Sequence, residues 1–326
     1  MMPDQMPTQP IPYLDAPSIR GVIEMGDLID AVERAFRIVA GGRDRSPLRS
    51  HVDIQGGSLL LMPGLPSDAS GFSVKLVTVM PGNAAAGRPT VQAIVVWFDA
   101  ATGRPLAILD GETVTGMRTG AASGVATRLL AREDAATLAM LGVGAQAEWQ
   151  VRAVLAARPV EHIIVFSRTA SARHAFAARI GAATGVRAEA VDSAEEAVRA
   201  ADVVCCATTA VAPVLDAAWV RPGTHVNGIG AFRIGMVELP AELFGRAELV
   251  AVDARRAALA EAGDVVAAIE GGPISESDLV EIGSVPGDYA RRRDPDAITI
   301  FKSVGLAIQD AAAAELIAGR LLARAR

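Results

Sequence analysis

The sequence has two cysteines, and they stand side by side as Cys205 and Cys206. Neighbours on a strand point to opposite faces, so the pair is badly placed for a disulfide with each other. No Cys-x-x-Cys and no His-x-Glu spacing is present, which removes the usual zinc and redox frameworks. Aromatic residues make up 4% of the chain, and lysine is scarce, so nearly all the positive charge is arginine. The formal net charge is −6, and no dense basic patch carries interleaved aromatics, which argues against general nucleic-acid binding. No apolar run is long and clean enough to span a bilayer. The first twelve residues are polar and proline-rich. They lack the charged start and apolar centre of a secretion signal, so a loose arm is expected over 1–12. A soluble, cytoplasmic protein without a membrane or nucleic-acid partner is the resulting expectation.

What is abundant is alanine and valine, punctuated by glycine and proline, a composition that suits closely packed α/β structure. At 326 residues the chain exceeds one typical core, and two domains are expected. Leu28, Ile29, Val32, Phe36 and Val39 recur at helical spacing and predict a helix over 25–40, ended by Gly41-Gly42. Short strands follow at 46–54, 58–63, 71–80, 90–99 and 106–110. Gly56-Gly57 is a hairpin signal between the first two. The period changes at 115–130, a helix of very small residues that allows close helix packing or close approach of a ligand.

Strand and helix then alternate. Strands are expected at 136–141, 162–167, 187–191, 203–207, 225–229 and 248–252. Helices are expected near 147–157, 171–180, 194–200, 216–220 and 240–244. Near-continuous apolar strands in this rhythm predict a doubly wound parallel sheet of Rossmann type. A last alanine-rich helix, 303–326, is expected to return to the first domain, since the sheet is by then complete. The fold class is therefore α/β: a parallel-sheet domain over 125–302 inserted in a second α+β domain made of 1–124 plus 303–326.

The chemistry centres on Gly142-Val143-Gly144-Ala145-Gln146-Ala147. An apolar strand ends there and a helical pattern begins. A dinucleotide pyrophosphate needs that order, because Gly142 makes the turn, Gly144 lets backbone approach, and the helix N-terminus offers N–H groups. Ala147 replaces the third glycine, an accepted variant. An NAD-specific fold places an acid at the end of the second strand, but here the residues are Ser167-Arg168-Thr169. Two hydroxyls and a guanidinium suit the 2′-phosphate of NADP(H), with NAD(H) the weaker expectation; a solvated helix-capping turn also fits them. Thr208 and the run Asn227-Gly228-Ile229-Gly230 follow the fourth and fifth strands, where ligand crevices form. Turns that merely require small residues fit there too. Lys75 lies inside an apolar strand and Arg118 inside the small-residue helix. By composition alone each reads as a solvated side chain.

Several words now come together: Leu61-Met62-Pro63, Lys75-Leu76-Val77-Thr78, Gly87-Arg88-Pro89-Thr90, Asp110-Gly111-Glu112, Met117-Arg118-Thr119-Gly120-Ala121, Gly142-Val143-Gly144-Ala145-Gln146, Thr224-His225-Val226-Asn227 and Ser303-Val304-Gly305-Leu306-Ala307-Ile308-Gln309-Asp310. With them the chain resembles the ornithine cyclodeaminase/mu-crystallin family along nearly its whole length. The resemblance implies a homodimer, with the N-terminal part and last helix forming the dimerisation and substrate domain. It implies a small substrate with a carboxylate beside an amine or imine carbon. Arg49, Lys75 and Arg118 are the implied carboxylate-binding positions. Thr90, Arg118, Ala145, Gln146, Ser167, Thr208, Asn227, Ile229 and Ser303 are implied cofactor positions, and Val304 lines the substrate.

One departure shapes the functional expectation. Cyclodeaminases of the family carry an Asp after the glycine turn of the fifth strand, and here Phe232 stands in its place; a Lys further on is Met236. Phe232 cannot act as acid or base and suits an apolar ring. The resemblance thus implies an NADPH-dependent reductase of a cyclic imino acid, Δ1-pyrroline-2-carboxylate or its piperideine homologue. A cyclodeaminase, an alanine-type dehydrogenase and a non-catalytic NADPH-binding protein are the alternatives. Lys75, Arg118 and Asp310 are the candidate catalytic residues, with Asp310, Lys75 or a water as proton donor. Asp310 equally fits a structural hydrogen-bonding role near the start of the last helix.

Overall fold

The computed structural model describes residues 10–324, so most of the arm expected over 1–12 lies outside the described residues. The first sheet is built from β1 (Tyr13–Leu14), then, after α1 (Ala16–Arg20) and α2 (Met25–Ala40), from β2 (Ser50–Ile54), β3 (Gly57–Gly64), β4 (Gly71–Val79), β5 (Val91–Asp99) and β6 (Pro105–Asp110). Its order is β1-β6-β5-β4-β3-β2. The run from β2 to β6 is antiparallel as expected, while β1 pairs parallel to β6. The strand expected from residue 46 begins only at Ser50. Gly56, with φ +80, makes the hairpin turn that brings Ile54 opposite Gly57.

Strand periodicity decides the fate of Lys75. Gly71, Ser73, Lys75 and Val77 alternate onto the covered face of β4, while their neighbours are half-buried. The solvated reading of Lys75 is thereby overturned: its side chain is 2% exposed.

From β6 the chain enters α3 (Gly111–Leu130), whose first turn is capped by the Asp110 carboxylate accepting the Thr113 amide at 2.8 Å. This helix is buried on almost every side and touches α2, β5 and the last helix as well as the second sheet. A Cβ at Gly116 would stand 2.3 Å from Trp149 Nε1, and one at Gly120 2.5 Å from the Trp149 carbonyl, so the small residues serve close helix packing. The solvated reading of Arg118 falls here too, because no face of α3 around it meets solvent. The expected division after residue 124 cuts this unbroken helix.

The second sheet comprises β7 (Thr137–Leu141), α4 (Ala147–Ala157), β8 (His162–Phe166), α5 (Ala170–Thr184), β9 (Arg187–Ala190), α6 (Ala194–Ala200), β10 (Val203–Cys206), β11 (His225–Gly228), α7 (Ala241–Arg246), β12 (Ala247–Val252), α8 (Arg255–Glu261), α9 (Gly263–Glu270), β13 (Leu279–Glu281), α10 (Tyr289–Arg292) and β14 (Ile298–Lys302), before the closing helix α11 (Ala307–Arg324). All pairings are parallel, in the order β13-β12-β14-β11-β10-β7-β8-β9. This is the doubly wound sheet that the alternation predicts. The expected sheet stopped at six strands. β13 and β14 are additions: β13 forms the edge beside β12, and β14, inserted between β11 and β12, leads directly into the segment before α11. Leu138 and Met140 pack on one face and Ala139 and Leu141 on the other, as a sheet covered on both sides requires. Cys205 and Cys206 likewise fall on opposite faces, both as free thiols. Among the described residues no helix is long and apolar enough to cross a membrane.

Candidate active site

Four elements bring a buried charge cluster together. β4 supplies Lys75, α3 supplies Arg118, the segment before β2 supplies Arg49, and α11 supplies Asp310. Lys75 Nζ lies 2.8 Å from Asp310 Oδ2, and Arg118 Nε donates to Asp310 Oδ1 at 2.9 Å. Arg118 Nη1 also donates to Gln309 Oε1 at 2.7 Å. Arg49 Nη2 donates to the carbonyls of Val304 and Gly305, each at 2.7 Å, and pairs with Glu261 Oε2 at 2.9 Å. The segment 303–305 is the joint between these groups. It is anchored by Asp253, whose Oδ2 accepts from the Ser303 hydroxyl and from the amides of Val304 and Gly305. Gly305 has φ +80, and a Cβ there would stand 2.5 Å from Arg118 Nη1, so only glycine lets the guanidinium lie against this backbone.

The cluster gathers three basic side chains. Arg49, Lys75 and Arg118 face the carboxylates of Asp310 and Glu261, and a third carboxylate, Asp253, lies on the backbone between them. Burial pushes the Lys75 amine down to about 7, Asp310 opposes that shift, and the nearby Arg118 and Arg49 add to it. Burial alone would raise the Asp310 carboxyl, but Lys75 and Arg118 outweigh it and hold the group below the usual carboxylate range. Burial raises Glu261, with Arg49 pulling the other way. A substrate carboxylate beside Lys75 would favour its charged form.

The glycine turn sits at the carboxyl ends of β7 and β10. Gly142 has φ +95, and a Cβ there would meet the Ala207 carbonyl at 2.7 Å and Thr208 Cγ2 at 2.9 Å. Gly144 faces open space, and Gln146 begins α4 without a side-chain cap. Gln146 Oε1 is buried with no hydrogen-bond partner. A tight turn, room at the second glycine, an uncapped helix start and an orphan acceptor together fit a bound dinucleotide. At the end of β8, Arg168 is exposed, Ser167 donates only to the Thr169 carbonyl, and Thr169 leads into α5 with no side-chain cap of its own.

Other expected cofactor residues are differently engaged. The Asn227 amide donates to Thr127 Oγ1 at 3.1 Å and its oxygen meets His225, so this side chain faces α3 rather than the crevice. The Thr208 hydroxyl is bound to Glu238, and that of Ser303 to Asp253. Ile229 is buried with its amide on the Cys206 carbonyl. Thr90 lies in the β4–β5 connection, its carbonyl accepting from the Met80 amide. Val304 is buried beside Arg49, whereas Phe232 is 43% exposed on the loop after β11. Asp253, Glu261, Glu238 and Gln309 escaped the sequence reading. Gln309 stood inside a recognised word; the three acids carried no pattern that singled them out.

A profile of the ornithine cyclodeaminase/mu-crystallin family matches residues 14–325. The chain belongs to this family. It is 36% identical over 309 residues to a Δ1-pyrroline-2-carboxylate reductase of Bacillus cereus (strain ATCC 10987 / NRS 248), covering 94% of this chain and 95% of the relative. Among solved structures it is similar to the Thermococcus litoralis Δ1-pyrroline-2-carboxylate reductase in complex with NADH and L-proline. That match has a TM-score of 0.89 and 34% identity, over 97% of this chain and 98% of the other. An archaeal alanine dehydrogenase dimer with bound NAD matches at a TM-score of 0.87 and 32% identity, over 97% of both chains. This member of the family is an oxidoreductase.

Proposed function

We propose that the protein reduces a cyclic imino acid, Δ1-pyrroline-2-carboxylate or Δ1-piperideine-2-carboxylate, to the cyclic amino acid, with NADPH as the preferred reductant. The observation that carries this reading is the cluster that brings Arg49, Lys75 and Arg118 together around Asp310 and the 303–305 backbone, in a relative of Δ1-pyrroline-2-carboxylate reductases. A carboxylate attached to the reacting carbon is the anion such a cluster can hold, and two guanidinium groups with an ammonium fix its orientation. When bound at the glycine turn, the dinucleotide supplies the hydride that reduces the C=N bond. The protein's own residues position the imine carbon and furnish the proton. Asp310 is held ionised and therefore does not donate. Lys75, with its amine near 7, can carry a proton at neutral pH and pass it to the imine nitrogen. Phe232 offers an apolar surface for the ring.

This assignment sets the pH dependence. The Lys75 cation is lost as pH rises through its depressed value, so kcat/KM should fall above about 7. The bound carboxylate restores the charge, so the corresponding fall in kcat should lie at higher pH. The sequence holds just two lysines, Lys75 and Lys302, so ¹⁵N-lysine NMR can follow Lys75 directly. A kcat/KM flat from pH 6 to 9 would remove Lys75 from the mechanism.

For the cofactor, Arg168 at the end of β8 is suited to the 2′-phosphate. Arg168→Ala should lower the NADPH-over-NADH preference about tenfold, as expected for one charge-assisted contact. An unchanged ratio, or a wild-type preference for NADH, would defeat the NADPH assignment.

Val52 and Ile54 on β2 and Ile94 on β5 are exposed on one face of the first sheet, an apolar face suited to a second copy in a homodimer. Two buried free thiols suit a reducing compartment, and we place the enzyme in the cytoplasm. The deciding experiment is a panel of cyclic imines, α-keto acids with ammonia, and ornithine, each followed by NADPH absorbance. Oxidation of NADPH with the cyclic imines is expected. Turnover confined to a keto acid with ammonia would instead indicate an amino-acid dehydrogenase, and ammonia release from ornithine a cyclodeaminase.

A further inference from the structure

Glu238 is fully buried on the loop that follows β11, and nothing in the proposed reduction employs it. Its Oε1 accepts from the Thr208 amide at 2.6 Å and from the Thr208 hydroxyl at 2.8 Å. Its Oε2 accepts from the amides of Gly230 at 2.5 Å and Ala231 at 3.2 Å. These donors lie on two loops, those leaving the carboxyl ends of β10 and β11. The Glu238 carbonyl also accepts from the Val214 amide, tying in the far end of the first loop.

The contacts continue to the glycine turn. A Cβ at Gly230 would stand 2.1 Å from the Thr208 carbonyl and 2.6 Å from Glu238 Oε1, so the two loops are pressed together at the carboxylate. On its other side Thr208 presents its methyl to Gly142. The hydroxyl hydrogen of Thr208 is committed to Glu238, so what this residue shows the crevice depends on the acid behind it. All four partners of Glu238 are donors, and a carboxylate is the side chain that meets them with two acceptor oxygens. Burial pushes the Glu238 carboxyl up, while Lys302, buried at the end of β14, and the four donors pull the other way.

We propose that Glu238 is a positioning residue for dinucleotide binding, clamping the loops after β10 and β11 together and holding Thr208 against the Gly142 turn. The proposal rests on the dinucleotide reading of that turn. It differs from a purely structural role in what it moves: cofactor affinity should suffer while the imine site, built on the other side of the crevice by β4, α3 and α11, is left alone.

Glu238→Gln keeps the size of the side chain but sets an amide donor against donors on one of the two loops. In a fluorescence titration its Kd for NADPH should rise tenfold or more. At saturating NADPH, kcat and the KM for the imine should return to within threefold of wild type. Thr208→Val, which deletes only the hydroxyl bond, should raise the NADPH Kd by about threefold or more, and much less in the Glu238→Gln background, because the two act through one contact. Wild-type NADPH affinity in Glu238→Gln overturns the proposal, as does additivity of the two substitutions. Should Glu238→Gln fail to fold, Thr208→Val decides alone, and an unchanged Kd overturns it. If the wild-type protein binds neither NADPH nor NADH, the dinucleotide reading itself falls and takes this proposal with it. A defect absent from wild type and confined to the variants cannot be confused with that failure.

Discussion

Arg118→Ala is expected to reduce kcat/KM for a carboxylate-bearing imine by roughly a thousandfold, corresponding to about 4 kcal/mol. Two losses combine. The substrate carboxylate loses a guanidinium that is aimed by two hydrogen bonds, from Nε to Asp310 and from Nη1 to Gln309. Asp310, fully buried, loses one of its two cations. Arg49 and Lys75 then remain paired to Glu261 and Asp310, and no guanidinium on α3 is left to meet the anion. The defect should therefore appear mainly in KM for the imine, with little change in KM for the dinucleotide. Steady-state kinetics on both substrates would check this. A kcat/KM within threefold of wild type would show that the carboxylate binds elsewhere.

Asp310→Asn is expected to cost about 3–5 kcal/mol of stability, the range for removing one partner from a buried ion pair. Lys75 and Arg118 would both remain buried with no counter-charge, and the new amide would turn its NH₂ toward one of them. The sign of the pH dependence follows from the direction of the shift. The Asp310 carboxyl is held below its unfolded value, so its contribution is fully present above about pH 4 and is lost as pH falls through the folded value. The difference in stability between wild type and Asp310→Asn should thus be largest near neutrality and shrink toward pH 3. Urea unfolding at several pH values would measure it. Lys75 should also lose its proton at lower pH in the variant, carrying the alkaline fall in kcat/KM below 7. A stability difference independent of pH would mean that Asp310 acts through packing rather than charge.

Much of this fold could be read from local pattern. The 3.6-residue period of Leu28, Ile29, Val32 and Phe36 gave α2 with its limits correct, and the Gly56-Gly57 hairpin lay where the glycines indicated. The strands from β7 to β12 were legible because each is an apolar run between turn residues. β14 was not, since Ile298-Thr299-Ile300-Phe301-Lys302 follows a charged loop and ends in a lysine, which resembles a linker into the last helix. The lysine is tolerated because Asp264, equally buried, stands 3.3 Å away. Sequence pattern cannot reveal such compensation between distant residues.

The site divides in the same way. By itself the sequence determined the glycine turn and its place between strand and helix, since these depend on the conformational freedom of Gly142 and on neighbours in the chain. Local pattern also determined the register that puts Lys75 on the same face of β4 as Ser73 and Val77. The family words carried Lys75 and Arg118, and the resemblance implied Arg49, but composition alone pointed Lys75 and Arg118 to solvent. Only the tertiary structure decided that Lys75 and Arg118 are buried and Arg49 half-buried, that Asp310 joins Lys75 to Arg118, and that Glu238 links the loops beside the turn. The physical reason is range. Backbone conformation is set by neighbouring residues, whereas a charge survives burial only if its partner arrives from elsewhere, as Asp310 does for Arg118 from 192 positions away.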